Sequence, residues 1–144
     1  MNLIIRKATH QDIPGIVKLI HELAESIKEK SPVTEEYVKV YLQNPMCFVL
    51  VSELNDKLVG LLSYSIKPNL YHASNSCLIE ELVVDYAYRN KGIASKLIEK
   101  LFEELESIQC AEVSVSTEKT NEAAIAFYKK HGFLDEYLFL EKHF

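Results

Sequence analysis

Apolar residues recur along this chain with two distinct periods. Over residues 13–27 they return every three or four positions, which is typical of an amphipathic helix. Residues 47–53 and 57–66 are instead rich in Val, Leu, Phe and Tyr, and Asn55-Asp56 lies between them, which predicts an antiparallel hairpin. The change from one period to the other predicts a chain that mixes helices with a sheet.

The other elements follow from the same patterns and from residues that start or stop helices. Thr9 and Asp12 form a capping-box-like start for the first helix, with Pro14 in its first turn. The remaining predictions are a first strand at 3–5, a helix at 34–43, a loop at 67–75, a strand at 76–85, a helix at 93–106, a strand at 112–117, a helix at 121–130 and a last strand at 137–141.

This order of elements predicts an α/β fold with a mixed, mostly antiparallel central sheet and helices on both faces. Strand 4, the helix after it and strand 5 form one crossover, which should be parallel and right-handed. The chain has 144 residues and no internal repeat or linker, so we expect a single domain over residues 1–144.

Charge and cysteine content limit the classes of function. A net charge of -5 disfavours nucleic acid and anionic membranes as partners. No apolar run approaches the roughly 20 residues that cross a bilayer. The three cysteines are widely spaced and odd in number, which predicts neither a disulfide framework nor a metal site. We therefore expect a cytoplasmic protein that uses no metal.

The most informative segment is a strand, a loop and a helix in direct succession. The loop contains Arg89 and Gly92, and small Ala94 lies in the first turn of the helix. Backbone N–H groups at such a helix start converge on one point, which suits a pyrophosphate. Neither a P-loop nor a G-x-G-x-x-G dinucleotide motif is present in the sequence. The alternative interpretation is an ordinary strand-to-helix turn.

A second segment places Asn121 and Tyr128 seven residues apart on one predicted helix, followed by Gly132-Phe133. Seven residues are two turns, so both side chains lie near one side of the helix. Taken alone, Phe127 and Tyr128 could equally be core aromatics.

Together the two segments resemble the GNAT superfamily of acetyl-CoA-dependent N-acetyltransferases. Residues 89–94, Arg-Asn-Lys-Gly-Ile-Ala, match its [QR]-x-x-G-x-[GA] signature, and the segment from Asn121 through Tyr128 to Gly132-Phe133 matches its second motif. The resemblance implies that acetyl-CoA is the cosubstrate and lies where strands 4 and 5 splay apart. It also implies contacts to the cofactor from Leu82, Val83, Val84, Arg89, Asn90, Lys91, Gly92, Ile93, Ala94, Ser95 and Asn121.

The implied chemistry needs a group that accepts the proton of the amine and a group that protonates the leaving thiolate. The resemblance places Tyr128 near the sulfur, as the proton donor. Glu80 and Glu81 are the candidate bases, and water is the alternative. Strict alternation puts Glu80 on the same strand face as Leu82 and Val84, so we prefer Glu80, although a bulge would exchange the faces.

These features predict an N-acetyltransferase that acts on a primary amine of a small molecule, a peptide or a protein. The alternative function is a sensor module that binds acetyl-CoA or CoA without turnover. Phe139, Leu140 and Phe144 could form the interface of a homodimer, or they could complete the core.

Overall fold

A computed structural model describes residues 2–144; Met1, with which the predicted domain begins, lies outside the described residues. Within this range the chain forms five strands, four α-helices and two short 3-10 turns. The strands are β1 (Leu3–Lys7), β2 (Cys47–Leu54), β3 (Lys57–Asn69), β4 (Ser74–Val84) and β5 (Glu112–Val115). The helices are α1 (Ile13–Ser26), α2 (Glu35–Gln43), α3 (Ile93–Ser107) and α4 (Glu122–Lys130), and the 3-10 turns are His10–Asp12 and Tyr86–Tyr88.

The strands form one sheet in the order β1-β2-β3-β4-β5. Neighbouring strands are antiparallel except β4 and β5, which are parallel and joined through α3. The mixed, mostly antiparallel sheet is therefore confirmed, together with the parallel pairing of the crossover, whose right-handed sense stays a prediction.

Helices cover both faces of the sheet, because alternate strand residues point to opposite sides. Val49, Val51 and Leu61 pack with α1 and α2, whereas Leu50 and Leu62 belong to the cluster that contains the buried residues of α3. Burying each such side chain stabilises the fold by roughly 1.5–3 kcal/mol. The layers cover β4 between β3 and β5, and a short turn connects its carboxyl end to the start of α3.

The start of α1 and the first hairpin follow from local sequence. Both bonds of a capping box join Thr9 and Asp12, as predicted, and α1 begins one residue later. Asn55 and Asp56 both have positive φ, at 50° and 65°, which is the backbone that a two-residue hairpin turn requires.

The predicted loop over residues 67–75 is wrong, because the β3–β4 hairpin continues through it. Lys67 pairs with Ser76, and Asn69 pairs with Ser74, so only residues 70–73 form the turn. Pro68 is tolerated there because β2 pairs with β3 only as far as Ser65, which leaves the other edge of β3 without a partner strand.

The predicted last strand at 137–141 is also wrong, and β5 ends at Val115 rather than at residue 117. Residues 137–140 form a short apolar run with two aromatic residues, as in a buried strand, but residues 134–144 are exposed and pair with no strand in the described range. Such a run becomes a strand only where a partner supplies hydrogen bonds, and β5 pairs with β4 alone.

Candidate active site

A wedge opens in the sheet between β4 and β5. The two strands pair from Ser76 opposite Glu112 to Ile79 opposite Val115, and the pairing ends there while β4 continues to Val84. On its other edge this part of β4 still pairs with β3, from Leu82 opposite Leu62 to Val84 opposite Gly60. The splayed strands are therefore present, and residues 82–84 have one edge free to pair with an extended ligand.

The loop after β4 presents a row of backbone donors. None of the hydrogen bonds among residues 2–144 uses a backbone N–H of residues 90–95. Asn90 and Gly92 have positive φ, at 63° and 78°, which turns the chain sharply into α3. A Cβ on Gly92 would have no atom within 4 Å, so the space in front of the helix start is open. Free N–H groups and the positive end of the helix dipole make this loop, residues 89–95, a candidate anion site, and it is called the anion loop below.

Arg89 fastens the loop to the end of β4. Its Nε donates to the carbonyl oxygen of Val84 at 3.1 Å, and its guanidinium lies 5.4 Å from the centre of the Tyr86 ring. Arg89 thereby stabilises the turn that presents the backbone donors.

The two candidate bases lie at a β-bulge, which overturns the strict alternation used to prefer Glu80. Ile79 pairs with Tyr64 and Glu81 pairs with Ser63, so Glu80 has no partner on β3. The extra residue reverses the face of the sheet to which each following side chain of β4 points. Ile79 and Leu82 consequently contact the same core cluster, and Glu80 is exposed while Glu81 is half-buried.

Glu81 is held in a partly apolar setting. Burial raises the pKa of its carboxyl, the nearby charge of Glu80 adds to the rise, and a hydrogen bond from Ser63 opposes it. The Ser63 hydroxyl donates to Glu81 Oε1 and accepts from the Glu81 backbone N–H at 3.0 Å. A fixed carboxyl group with a raised pKa is suited to accept a proton near neutral pH.

Tyr41 of α2 borders the same pair of carboxylates. Burial raises the pKa of its phenol, and the nearby groups Cys47, Glu81 and Glu80 raise it further. Neither Tyr41 nor Ser63 was predicted from the sequence. Both become neighbours of Glu81 only through the packing of α2 on the sheet and the register of β3, so no motif marks them.

Tyr128 lies on α4, in contact with the rings of Phe127 and Phe133 at centroid distances of 5.3 and 5.4 Å. Burial raises the pKa of the Tyr128 phenol, which therefore keeps its proton at neutral pH and can donate it. Tyr128 packs against the same core cluster as Leu82 and Val84, and its place at the reacting sulfur stays a prediction.

Asn121 caps α4, since its Oδ1 accepts from the Ala124 backbone N–H at 3.1 Å. The side-chain amide retains two N–H donors, which suits the predicted contact to the cosubstrate. Asn121 is exposed, as are Asn90 and Lys91, whereas Ile93 is buried beneath the loop.

Within residues 2–144 no group of three or more His, Cys, Asp or Glu side chains is placed to hold a metal ion, and independence from metal stays a prediction. No helix in the same range combines the length and apolar character that a membrane span requires.

The chain belongs to the Acetyltransferase (GNAT) family, which its residues 14–133 match. The match spans both motifs, the wedge and the anion loop. The protein is accordingly an N-acetyltransferase of the family that uses acetyl-CoA as cosubstrate.

Individual relatives agree with this assignment. Thialysine N-epsilon-acetyltransferase of Sus scrofa is 27% identical over 93% of this chain and 85% of its own length. The N-alpha-acetyltransferase MAK3 of Arabidopsis thaliana is 31% identical over 88% of this chain and 63% of its own length. A crystal structure of an aminoglycoside acetyltransferase from a soil metagenome superposes with a TM-score of 0.84 and 25% identity, covering 99% of this chain and 95% of that one.

Proposed function

We propose that this chain transfers the acetyl group of acetyl-CoA to a primary amine of a small molecule, a peptide or a protein, in the wedge between β4 and β5. The observation that carries the proposal is the wedge. The half-buried carboxyl group of Glu81, the free strand edge of residues 82–84 and the anion loop follow one another along the chain that borders it.

The cosubstrate is assigned by matching its parts to the donors of the site. The amide-containing pantetheine arm pairs with the free edge of Leu82, Val83 and Val84, as an added strand would. The pyrophosphate binds the N–H groups of residues 90–95, with Lys91 adding positive charge. Asn121 donates a further hydrogen bond from α4.

The chemistry requires two proton movements, and two side chains are suited to them. The amine nitrogen attacks the thioester carbonyl carbon only as a neutral group, so its proton must pass to a base. We assign the role of the base to Glu81 rather than to Glu80. Glu81 is half-buried, Ser63 orients its carboxyl group, and burial raises the pKa of that group. The carbon–sulfur bond then breaks, and the thiolate takes the proton of the Tyr128 hydroxyl.

The carboxylates favour an acceptor that carries positive charge. Glu80 is exposed beside Glu81, and its carboxylate, which accepts a long hydrogen bond of 3.4 Å from the Ser65 hydroxyl, can also pair with a second ammonium group of the acceptor. The names of two relatives, thialysine N-epsilon-acetyltransferase and spermidine/spermine N(1)-acetyltransferase-like protein 1, point to basic amines for those proteins. Other relatives are N-alpha-acetyltransferases, so peptide N-termini belong in the same test.

The setting of the enzyme is also part of the proposal. The net charge of -5 supports activity without nucleic acid or membrane partners. The three cysteines are all free thiols, which supports a reducing compartment such as the cytoplasm. The exposed apolar segment at the C-terminus supports a homodimer.

An acceptor screen tests the function directly. Acetyl-CoA is incubated with the protein and with polyamines, lysine-like diamines, aminoglycosides or peptides with free N-termini, and the released CoA thiol is measured. We expect amine-dependent thiol release, with an acetylated product of the mass of the acceptor plus one acetyl group. Tight binding of acetyl-CoA with no turnover on any amine would instead support the sensor function.

A further inference from the structure

One side-chain hydrogen bond joins the two motifs of the site. Ser95 Oγ, in the first turn of α3, lies 3.0 Å from Nε2 of His131, at the end of α4. Ser95 belongs to the anion loop, whereas His131 lies three residues after Tyr128 and had no role in the sequence analysis. Both residues are only partly exposed.

The position of His131 is determined by the end of its helix. Its backbone N–H donates to the carbonyl oxygens of Phe127 and Tyr128, at 3.3 and 3.0 Å. Gly132 then turns the chain with a φ of 94°, which allows the Phe133 N–H to reach the Tyr128 carbonyl at 3.1 Å. The imidazole also packs on the Phe127 ring at a centroid distance of 4.7 Å. These contacts hold the imidazole ring in place independently of its hydrogen bond to Ser95.

A serine hydroxyl has one hydrogen to donate, so the direction of this bond decides what Ser95 can offer a ligand. If Ser95 donates to Nε2, its only hydroxyl hydrogen is engaged within the protein and is not available to a ligand. If the imidazole donates through Nε2–H, Ser95 accepts, and its own hydrogen remains free for an anion. The N–H groups of residues 90–95 donate to no group within residues 2–144, so they are available to the same anion.

We propose that His131 is a positioning residue for the anion loop: its Nε2–H donates to Ser95 Oγ, and Ser95 in turn donates its hydroxyl hydrogen to a pyrophosphate oxygen of the cosubstrate. The inference rests on the assignment of the loop made under Proposed function. It adds a member of the second motif to the pyrophosphate site.

The bond also ties α4 to the loop. No residue of α4 is fully buried, and in the described part of the chain this is the one side-chain hydrogen bond that links α3 to α4 or to His131 directly after it. An anion that orients the Ser95 hydroxyl therefore favours one geometry of the helix that carries Tyr128.

Calorimetry with CoA on the full chain tests the proposal through three variants. Ser95→Ala should weaken CoA binding about tenfold, the scale of a hydrogen bond to a charged group. His131→Phe keeps an aromatic ring on Phe127 but removes the donor, and it should weaken binding about three- to tenfold. The double variant should bind no more weakly than Ser95→Ala, because His131 acts through Ser95. His131→Gln retains an N–H donor and should recover part of the loss.

Two further measurements separate positioning from a general structural role. Pantetheine, which lacks the pyrophosphate, is titrated by NMR, and its affinity should fall less than twofold in His131→Phe. Long-range ¹H–¹⁵N spectra of the CoA complex should show His131 protonated at Nε2, in a signal absent from His131→Phe.

Unchanged CoA affinity in His131→Phe, losses that multiply in the double variant, or an imidazole protonated only at Nδ1 in the complex would each overturn the proposal. In these cases the wild type still binds CoA, so the proposed function stands. A wild-type protein that binds no CoA would overturn the loop assignment itself, and the role of His131 with it.

Discussion

Glu80 and Glu81 are chemically identical neighbours that the fold places in different surroundings. The bulge in β4 leaves Glu80 exposed and outside the backbone register with β3, with its carboxylate 3.4 Å from the Ser65 hydroxyl, while Glu81 turns toward Ser63 and Tyr41. Desolvation disfavours the charged form of a carboxyl group, so the buried member of the pair has the raised pKa. This difference makes Glu81 the better base.

Glu81→Gln is expected to lower kcat/KM about 100-fold, within the usual range for a general base. Because the base works as the carboxylate, activity should rise with pH through the raised pKa of Glu81. The ratio of wild-type to variant activity should therefore be greatest between that pKa and the pKa of the amine, which is about 10.4 for a lysine-like acceptor. Profiles of kcat/KM against pH check this.

Glu80→Gln is the matched control for this change, since it alters the same group one residue away. We expect its effect to be mainly on the KM for a cationic acceptor. A large fall in kcat from Glu80→Gln together with normal turnover by Glu81→Gln would show that the exposed carboxylate is the base.

Tyr128→Phe should lower kcat roughly 10- to 1,000-fold, the scale of general acid catalysis, and change the KM for acetyl-CoA little. The Phe ring preserves the packing on Phe127 and Phe133, so only the donor is lost. Steady-state kinetics measure both constants. Tyr37→Phe, on the exposed face of α2, is the control and should leave both unchanged. A raised KM with normal kcat would make Tyr128 a binding residue.

Among the secondary-structure elements, the junction of β4 and α3 has the most exacting backbone. Gly92 caps the helix in the left-handed region, and the space beyond its Cα is open. Most side chains are strained there, but Asn and Asp adopt positive φ more readily than others. They therefore allow a test of charge at almost constant shape.

Gly92→Asp should weaken CoA binding at least about tenfold, equal to ~1.4 kcal/mol, because it puts a negative charge where the phosphates bind. Gly92→Asn has the same shape without the charge and should retain most of the affinity. Calorimetry on both variants, with melting temperatures to confirm folding, gives the comparison. Equal affinities for the two variants would place the phosphates elsewhere.

For the molecule as a whole, the unusual feature is the apolar C-terminal segment, residues 134–144. Its large side chains are exposed, Tyr137 by 89% and Leu140 by 82%, although residues 137–140 form a continuous apolar run. β5 pairs on one side only, so within the described residues the outer edge of the sheet also lacks a partner strand. Exposed edges and apolar segments of this kind commonly mark association surfaces.

We expect the full chain to form a homodimer that depends on this segment. Phe139→Glu combined with Leu140→Glu should shift the protein toward the monomer in light scattering after size-exclusion chromatography, with unchanged far-ultraviolet circular dichroism. Leu70→Glu changes a fully exposed residue of the β3–β4 turn and should leave the dimer intact. A monomeric wild type, or a dimer insensitive to the double change, would contradict the prediction.

Local sequence determined most of the elements and both motifs. The capping box at Thr9, the positive-φ pair Asn55-Asp56 and the apolar stripe of α3 act over a few residues, so each can be read from its neighbours. The anion loop belongs to this class, because a glycine before an amphipathic helix already defines its donors.

Residues distant in sequence decided which of the two carboxylates is half-buried and whether the last apolar segment forms a strand. Strict alternation is a property of an isolated strand, and the register of β3 against β4 broke it at Glu80. Tyr137 and its neighbours have a strand pattern, but a strand also needs hydrogen bonds from a second chain segment. The contacts of Ser63 with Glu81 and of His131 with Ser95 span 18 and 36 residues, so only the folded chain brings these pairs together.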